Sequence, residues 1–362
     1  SYTHHPSRLD LDSFFMQGNP EEHLSGIMSA TEDTVRNPFL LMFEQYLAPK
    51  IPWDDYGIVG LSIIHIGQVI PGLTLARQLR RRYPHLHIVV GGSVFNRHAD
   101  LLDDKQQLFK EFFHSLIVSE GELPLDHLVS HLKENKPLQT VPNLIYLEGD
   151  KVIRNLKTEA LPYEEMVCPT FDQLPLEKYL MPYPVLPYMS SRGCYWGKCT
   201  FCTHSFIYGH RYGKQRTEQM VDELENLARK YKTKYFTFSD EAVSPHSLND
   251  VSEEIIKRDV DIKSLALLKF EKVMDQQLFE KMKQAGFIFL MYGLESANDR
   301  VLSLIDKGTD QKTELEVLEK SHKAGIWNHS FMFFGFPTET RDEAQDTINF
   351  LEKNLHCIHL GL

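Results

Sequence analysis

Apolar positions are scattered up to residue 56, with one helical patch over 39–47, and then fall into order. Residues 58–64 form a continuous apolar run. Pro71 opens a helical pattern carrying Leu75, Ala76 and Leu79, and a second run, 88–90, closes on Gly91-Gly92. A third, 115–118, ends in Ser119-Glu120-Gly121-Glu122 and leads into a helical pattern over 123–132. Unbroken apolar runs of strand length, separated by helical periodicity, predict a parallel, doubly wound α/β sheet covered on both faces.

A hairpin over 143–153 follows, turning at Glu148-Gly149-Asp150, and then Pro162, Pro169, Pro175, Pro182, Pro184 and Pro187 mark an inter-domain crossing. Beyond it one unit repeats. Strands near 185–190, 235–238, 264–268, 287–292, 329–334 and 357–361 alternate with helical patterns, which predicts a partial (β/α)6 barrel. Thr217, Asp275, Asp310 and Thr340 read as N-caps, and Gly286 and Gly325 as C-terminal stops. Met220, Val221, Leu224, Leu227 and Ala228 trace one apolar helix face. The expected division is a domain over 1–135, a hairpin and linker over 136–184, and the barrel over 185–362. The first sheet lacks opening strands and the chain stops on its sixth barrel strand, so we expect a fragment of a longer protein.

Composition narrows the class. The 362 residues are 42% hydrophobic and 25% charged, as in a soluble globular protein, with no apolar run near the ~18 residues that span a bilayer. No secretory signal opens the chain, which points to the cytoplasm. A net charge of −11 opposes nucleic acid, and the basic run Arg77, Arg80, Arg81, Arg82 fits the polar face of one helix.

Three of the five cysteines crowd into nine residues, which suits a metal site better than disulfides. Cys168 and Cys357 stand alone and read as small buried hydrophobes. Cys194, Cys199 and Cys202 follow the first barrel strand, on the face where barrels place chemistry. Their spacing matches plant-type ferredoxins, but those need a fourth thiolate, and none occurs before Cys357. Zinc with His204 as fourth ligand is an alternative. Three thiolates on a four-iron cluster would leave one iron open for a cosubstrate.

At these residues the chain resembles the radical S-adenosylmethionine enzymes with an N-terminal cobalamin-binding domain, over 57–362. The carriers are Gly-Cys-Tyr-Trp-Gly-Lys-Cys-Thr-Phe-Cys (193–202), Ser239-Asp240-Glu241, Gly293-Leu294-Glu295-Ser296 and Gly335-Phe336-Pro337-Thr338-Glu339-Thr340. The usual cysteine spacing of three then two is lengthened here to four then two. The resemblance implies that Cys194, Cys199 and Cys202 hold a [4Fe–4S] cluster whose open iron chelates S-adenosylmethionine, and that reductive cleavage gives a 5′-deoxyadenosyl radical. It further implies that Ser239, Asp240 and Glu241 meet the methionyl amine, Glu295 the ribose or sulfonium, and Lys269 the carboxylate. Phe201, Gly335 and Pro337 would then line the adenine. Helix-start acids, turn chemistry and simple solvent exposure are the plainer readings of these positions.

In the first domain, ligands of a doubly wound sheet bind at the carboxyl ends of its strands, where Ser62, His65, Gly67, Gly91, Gly92, Ser93, Glu120, Gly121 and Glu122 lie. Resemblance names cobalamin as the ligand of this Rossmann-like domain. The Asp-x-His-x-x-Gly motif of cobalt-ligating domains is absent, and a loop histidine is the preferred reading of His65. The reaction implied is methylation of an unactivated carbon or phosphorus centre, with methylcobalamin as donor and a second S-adenosylmethionine recharging cobalt. The implied partners are a small-molecule or peptide substrate and an electron donor such as flavodoxin or ferredoxin. A radical enzyme without cobalamin, and a non-catalytic zinc or iron–sulfur module, are the rivals.

Overall fold

The computed structural model describes residues 7–9, 14–18, 20–155, 161–204 and 211–361, in two compact units, Ser1–Leu161 and Pro162–Leu362. Among the described residues no helix is long and apolar enough to cross a membrane.

In the first unit β1 (Ser7–Leu9) and β2 (Phe14–Met16) pair antiparallel. The main sheet contains β3 (Ile58–Ser62), β4 (His87–Gly91), β5 (Ser115–Ile117), β6 (Leu144–Glu148) and β7 (Lys151–Arg154), side by side in chain order. The first three are parallel; β6 and β7 return antiparallel. The hairpin assigned from sequence to the linker is therefore an edge of this sheet. Leu144, Ile145 and Tyr146 are buried in succession, which requires cover on both faces and so a place in a domain.

The helix Val69–Arg82 buries Val69, Ile70, Leu73, Ala76 and Leu79, a stripe at helical spacing, against a core that includes Ile63, Ile88, Val90 and Leu116. Arg77 belongs to that stripe and not to the polar face expected for it. Its guanidinium bonds to Met28 O at 2.9 Å and Thr31 Oγ1 at 2.7 Å, meets Glu111 at 3.0 Å and lies over the Phe112 ring, a set of partners that makes a buried charge tolerable. The helical patch at 39–47 begins as an α-turn, Phe39–Met42, and continues as a π-helical turn, Phe43–Leu47.

The second unit is built on a six-stranded parallel sheet. β8 (Val185–Tyr188) is followed by a small antiparallel pair, β9 (Ser191–Arg192) with β10 (Gly213–Lys214). Then come β11 (Tyr235–Phe238), β12 (Lys263–Leu268), β13 (Phe287–Glu295), β14 (Trp327–Met332) and β15 (Leu360–Gly361). The order β8-β11-β12-β13-β14-β15 follows the chain, as a partial (β/α)6 barrel demands.

Asp275 and Asp310 cap their helices by accepting from Leu278 N and Thr313 N, and Thr340 forms a reciprocal box with Glu343. Thr217 is instead the first helical residue, with Arg216 in the cap position and no side-chain bond. Gly286 has φ +97°, and a Cβ there would lie 2.0 Å from Ile262 O, so only glycine closes that turn. The last strand is shorter than expected because Cys357, fully buried, and Ile358 close a turn on Asn354 before pairing begins. Asn328 ties this turn to β14, donating to Leu318 O and Cys357 O and accepting from Ser321 Oγ. Cys168 is half-buried and packs on the same core.

Candidate active site

The three cysteines lie on the loop that leaves β8, and the loop is sewn down at several points. At its start Gly193 has φ +77°, and a Cβ there would sit 2.0 Å from Arg211 O, so no other residue permits the β9–β10 pairing at this place. In its middle Trp196 Nε1 donates to Asp306 O at 2.8 Å, while Thr200 N donates to Ile305 O at 2.8 Å and Thr200 Oγ1 to Leu304 O at 3.1 Å. Cys202 N donates to Cys199 O at 3.1 Å, closing a tight turn between the last two cysteines.

Burial pushes the Cys199 and Cys202 thiols above their ordinary values, and the charges of the neighbouring thiols push them further, while Lys307 pulls both down. Three thiolates gathered this way repel one another, so the donor set fits a cationic iron–sulfur core that neutralises them. A closed zinc site needs ligands converging on one ion. His204, the fourth ligand such a site would recruit, has its Nδ1 2.9 Å from Glu241 Oε2, in an ion-pair contact outside hydrogen-bond geometry.

Neighbouring strand ends supply the charged groups. Asp240, 3% exposed, accepts from Ser190 N at 3.1 Å, Ser190 Oγ at 2.7 Å and Ser191 Oγ at 2.5 Å. Burial raises its carboxyl pKa and these bonds oppose the rise. Both of its oxygens are thus spent on the strand that launches the cysteine loop, and Glu241 beside it is the carboxylate that remains accessible. Ser239 adds a further tie, donating its N–H to Tyr188 O at 2.9 Å. Lys269, at the end of β12, is buried and not solvent-exposed. Its Nζ stands 4.2 Å from the centroid of the Trp196 ring and 3.8 Å from Glu271 Oε1, and desolvation lowers its pKa.

Glu295 ends β13 with φ +62°, an uncommon conformation for a side chain of its size, and its carboxylate pairs with the buried Lys307 at 2.6 Å. Lys307 is a residue that sequence reading passed over; its only signal was a lone lysine in a Lys-Gly-Thr-Asp turn. Phe201 is 42% exposed and meets Phe333 edge-on at 5.0 Å, with Phe334 and Phe336 close by in sequence. Gly335, φ +84°, has open space where a Cβ would be, and its N–H donates to Glu339 Oε2 at 2.5 Å. With the exposed Pro337 this leaves an aromatic shelf beside an uncrowded backbone edge, which suits a planar base.

In the first unit the predicted residues gather at the carboxyl ends of β3, β4 and β5. Gly92 has φ +108°, and a Cβ there would meet Ile63 O at 2.3 Å. Ser93 Oγ donates to Ile64 O at 2.8 Å, and Ser119, just before Glu120, takes φ +62° with its N–H on Asn96 Oδ1. His65 caps the turn Ile66–Gln68: its Nδ1 accepts from Gly67 N at 3.1 Å. Ser62 and Glu122 are exposed, Gly91 and Gly121 partly so, and Glu120 is buried. Ile64 and Ile66, both exposed, add apolar surface at the same edge.

Residues 188–351 match the family model of the radical SAM superfamily. An uncharacterized methyltransferase of Pyrococcus horikoshii is 28% identical over 314 residues, covering 85% of this chain and 66% of that protein. Among solved structures, OxsB, a cobalamin-dependent S-adenosylmethionine radical enzyme with aqua-cobalamin bound, aligns with a TM-score of 0.69 at 21% identity, over 83% of this chain and 44% of that one. TsrM of Kitasatospora setae, a radical S-adenosylmethionine methyltransferase, aligns with a TM-score of 0.70 at 16% identity, over 88% and 63%. The chain thus spans about half to two thirds of the length of such relatives. The shared fold is a Rossmann-like unit followed by a partial barrel, and the matched domain begins on the strand that launches the cysteine loop. By that match residues 188–351, which carry the cysteine loop, are a domain of the radical SAM superfamily, whose cofactors are a [4Fe–4S] cluster and S-adenosylmethionine.

Proposed function

We propose that this chain is a cobalamin-dependent radical S-adenosylmethionine enzyme that methylates an unactivated carbon or phosphorus centre. The observation that carries the reading is the cysteine loop itself, fixed to the 304–306 segment by three hydrogen bonds and flanked by Glu241, Lys269 and the Glu295–Lys307 pair. The methyltransferase relative and the cobalamin bound to OxsB support the methylation and the second cofactor.

Cys194, Cys199 and Cys202 are the proposed cluster ligands. When bound, the cluster and cobalamin supply the electron that opens the sulfonium and the methyl group that is transferred. Asp240 holds Ser190 and Ser191 so that the loop begins in one place, and Ser239 fixes the adjoining strand end. Glu241 accepts the methionyl ammonium, Lys269 offers a cation to the carboxylate, and Glu295 faces the ribose or sulfonium. Phe201 stacks on the adenine, with Gly335 and Pro337 leaving its edge unobstructed. In the first unit Gly91, Gly92 and Gly121 let a corrin's nucleotide tail approach the backbone, with Ser62, Gly67, Ser93, Glu120 and Glu122 around it. A small molecule or peptide is the substrate, and a reductant such as flavodoxin or ferredoxin the electron source.

The test is product analysis by mass spectrometry on protein reconstituted anaerobically with iron, sulfide, cobalamin, S-adenosylmethionine and reductant. 5′-Deoxyadenosine should form with the wild type and not with Cys199→Ala, accompanied by S-adenosylhomocysteine. If neither product forms and zinc copurifies, the reading is wrong.

A further inference from the structure

The buried Lys307 ammonium pairs with the partly buried Glu295, and a second carboxyl group, the fully buried Glu314, lies within its electrostatic influence. Lys307 Nζ lies 2.6 Å from Glu295 Oε1, in space that Gly293 leaves open: a Cβ there would come within 2.5 Å of the oxygen and 2.6 Å of the nitrogen. Glu314, in the first turn of the helix Gln311–Lys323, is fully buried, and among the described residues neither of its side-chain oxygens has a hydrogen-bond partner. That helix docks on the segment joining Glu295 to Lys307, with Gln311 N donating to Asp299 Oδ1 at 2.8 Å and Gln311 Nε2 to Ala297 O at 2.7 Å.

The charged groups that act on Glu314 electrostatically are Lys307, Asp299, Glu295 and Asp310, one cation among three acids. With Glu295 already neutralising Lys307, a second carboxylate would bring net negative charge into the interior, so Glu314 keeps its proton. Burial first, and the surrounding acids after it, hold its carboxyl well above the ordinary range, against the pull of Lys307. An O–H buried without an acceptor is costly, and such a group calls for a use.

We propose that Glu314 is a second seat for Lys307: when a cationic group of a bound ligand takes Glu295, the Lys307 ammonium turns to Glu314. The inference rests on the reading that Glu295 faces the sulfonium or ammonium of S-adenosylmethionine. The Lys307–Glu295 bond breaks, a Lys307–Glu314 bond forms, and the Glu314 proton leaves to solvent. Two carboxylates then face two cations and the buried charge stays balanced. Glu314 is thus a positioning residue, coupling occupancy of the site to the cation beside Cys199 and Cys202.

Two measurements test this. In the cluster-free chain, a protonated Glu314 destabilises the fold as pH rises above the ordinary carboxylate value, because the unfolded group ionises and the folded one does not. Glu314→Gln removes that penalty, so its melting temperature should match the wild type near pH 5 and exceed it increasingly toward pH 8; a difference constant with pH overturns the protonated seat. In the reconstituted protein, calorimetric binding of S-adenosylmethionine in buffers of differing ionisation heat should show about one proton released by the wild type and none by Glu314→Gln. Equal release from both overturns the proposal. Absence of binding to the wild type would sink the functional reading, and this inference with it.

Discussion

Trp196, inside the cysteine loop, gives its indole N–H to the carbonyl of Asp306 at 2.8 Å, and two residues further on Gly308 makes room for the same ring. Gly308 has φ +68°, and a Cβ would stand 2.3 Å from Trp196 Cη2 and Cζ2. Gly308→Ala combines a left-handed conformation without glycine and a clash with an aromatic ring. Each costs about 1 kcal/mol or more. We expect denaturant unfolding of the second unit to lose about 2–4 kcal/mol by that reckoning, and iron content after reconstitution to fall because the loop no longer closes. Full iron loading with unchanged stability would show that the ring does not fix the loop.

Asp240 and Glu241 are adjacent, yet their surroundings assign them opposite tasks. Asp240 takes three hydrogen bonds from Ser190 and Ser191 and is buried; Glu241 is partly exposed and contacts His204. Asp240→Asn sets an NH2 against donors and should cost about 2–3 kcal/mol of stability, the scale for losing bonds to a buried charge. Glu241→Gln should stay within about 0.5 kcal/mol, as surface changes do, while weakening S-adenosylmethionine binding in the reconstituted protein. Equal destabilisation by both variants would refute the division of labour.

The Asp310 cap gives a pH dependence whose sign follows from its bonds. Thr313 Oγ1 and Thr313 N both donate to its carboxylate and Lys272 Nζ lies 3.2 Å away, which together hold the carboxyl at about 2. The unfolded value is higher, roughly 4, so the stabilisation is complete above that value and is lost as pH falls toward 2. Asp310→Ala should loosen the helix Gln311–Lys323 by about 1 kcal/mol at neutral pH, seen as faster hydrogen exchange in its first turns. The gap should narrow between pH 4 and 2. Asp310→Asn keeps an acceptor without the charge, so its exchange should vary less with pH than the wild type's across that interval.

The parallel strands were legible because each reads as a short, mainly apolar run, even where the structure exposes positions such as Gly60 and Ser62 of β3 or Pro187 of β8, and the caps at Asp275, Asp310 and Thr340 because capping is local. What escaped depends on contacts between distant segments. The 143–153 hairpin reads alike in a linker or at a sheet edge; only the pairing of Ile145 with Leu116 decides. Arg77 looks like its exposed neighbours until Thr31 and Glu111 are brought to it. Glu314 stands in a charged helical stretch, Gln311-Lys312-Thr313-Glu314, and reads as a solvated acid; its burial comes from docking on Ala297 and Asp299. The cysteine spacing announced a cluster loop, whereas Lys307 beneath it has no motif of its own.

His65 is placed where a cobalt ligand from the first unit would be sought, and its hydrogen bonding argues against that use. Nδ1 accepts the Gly67 N–H, so in the neutral ring the proton sits on Nε2, which then has no lone pair for a metal. Gly92, by contrast, lets the chain turn against Ile63 with φ +108°, where any Cβ would strike the Ile63 carbonyl. The two sites should therefore respond differently to substitution when cobalamin is offered to the protein. His65→Ala should bind it with the wild-type corrin spectrum, losing only the small stability of a capped turn. Gly92→Ala should lose both cobalamin retention on gel filtration and about 2 kcal/mol or more of first-unit stability, from backbone strain and overpacking. A shift of the corrin bands in His65→Ala alone would make His65 a ligand after all, and would require Gly67 to release its bond when cobalamin arrives.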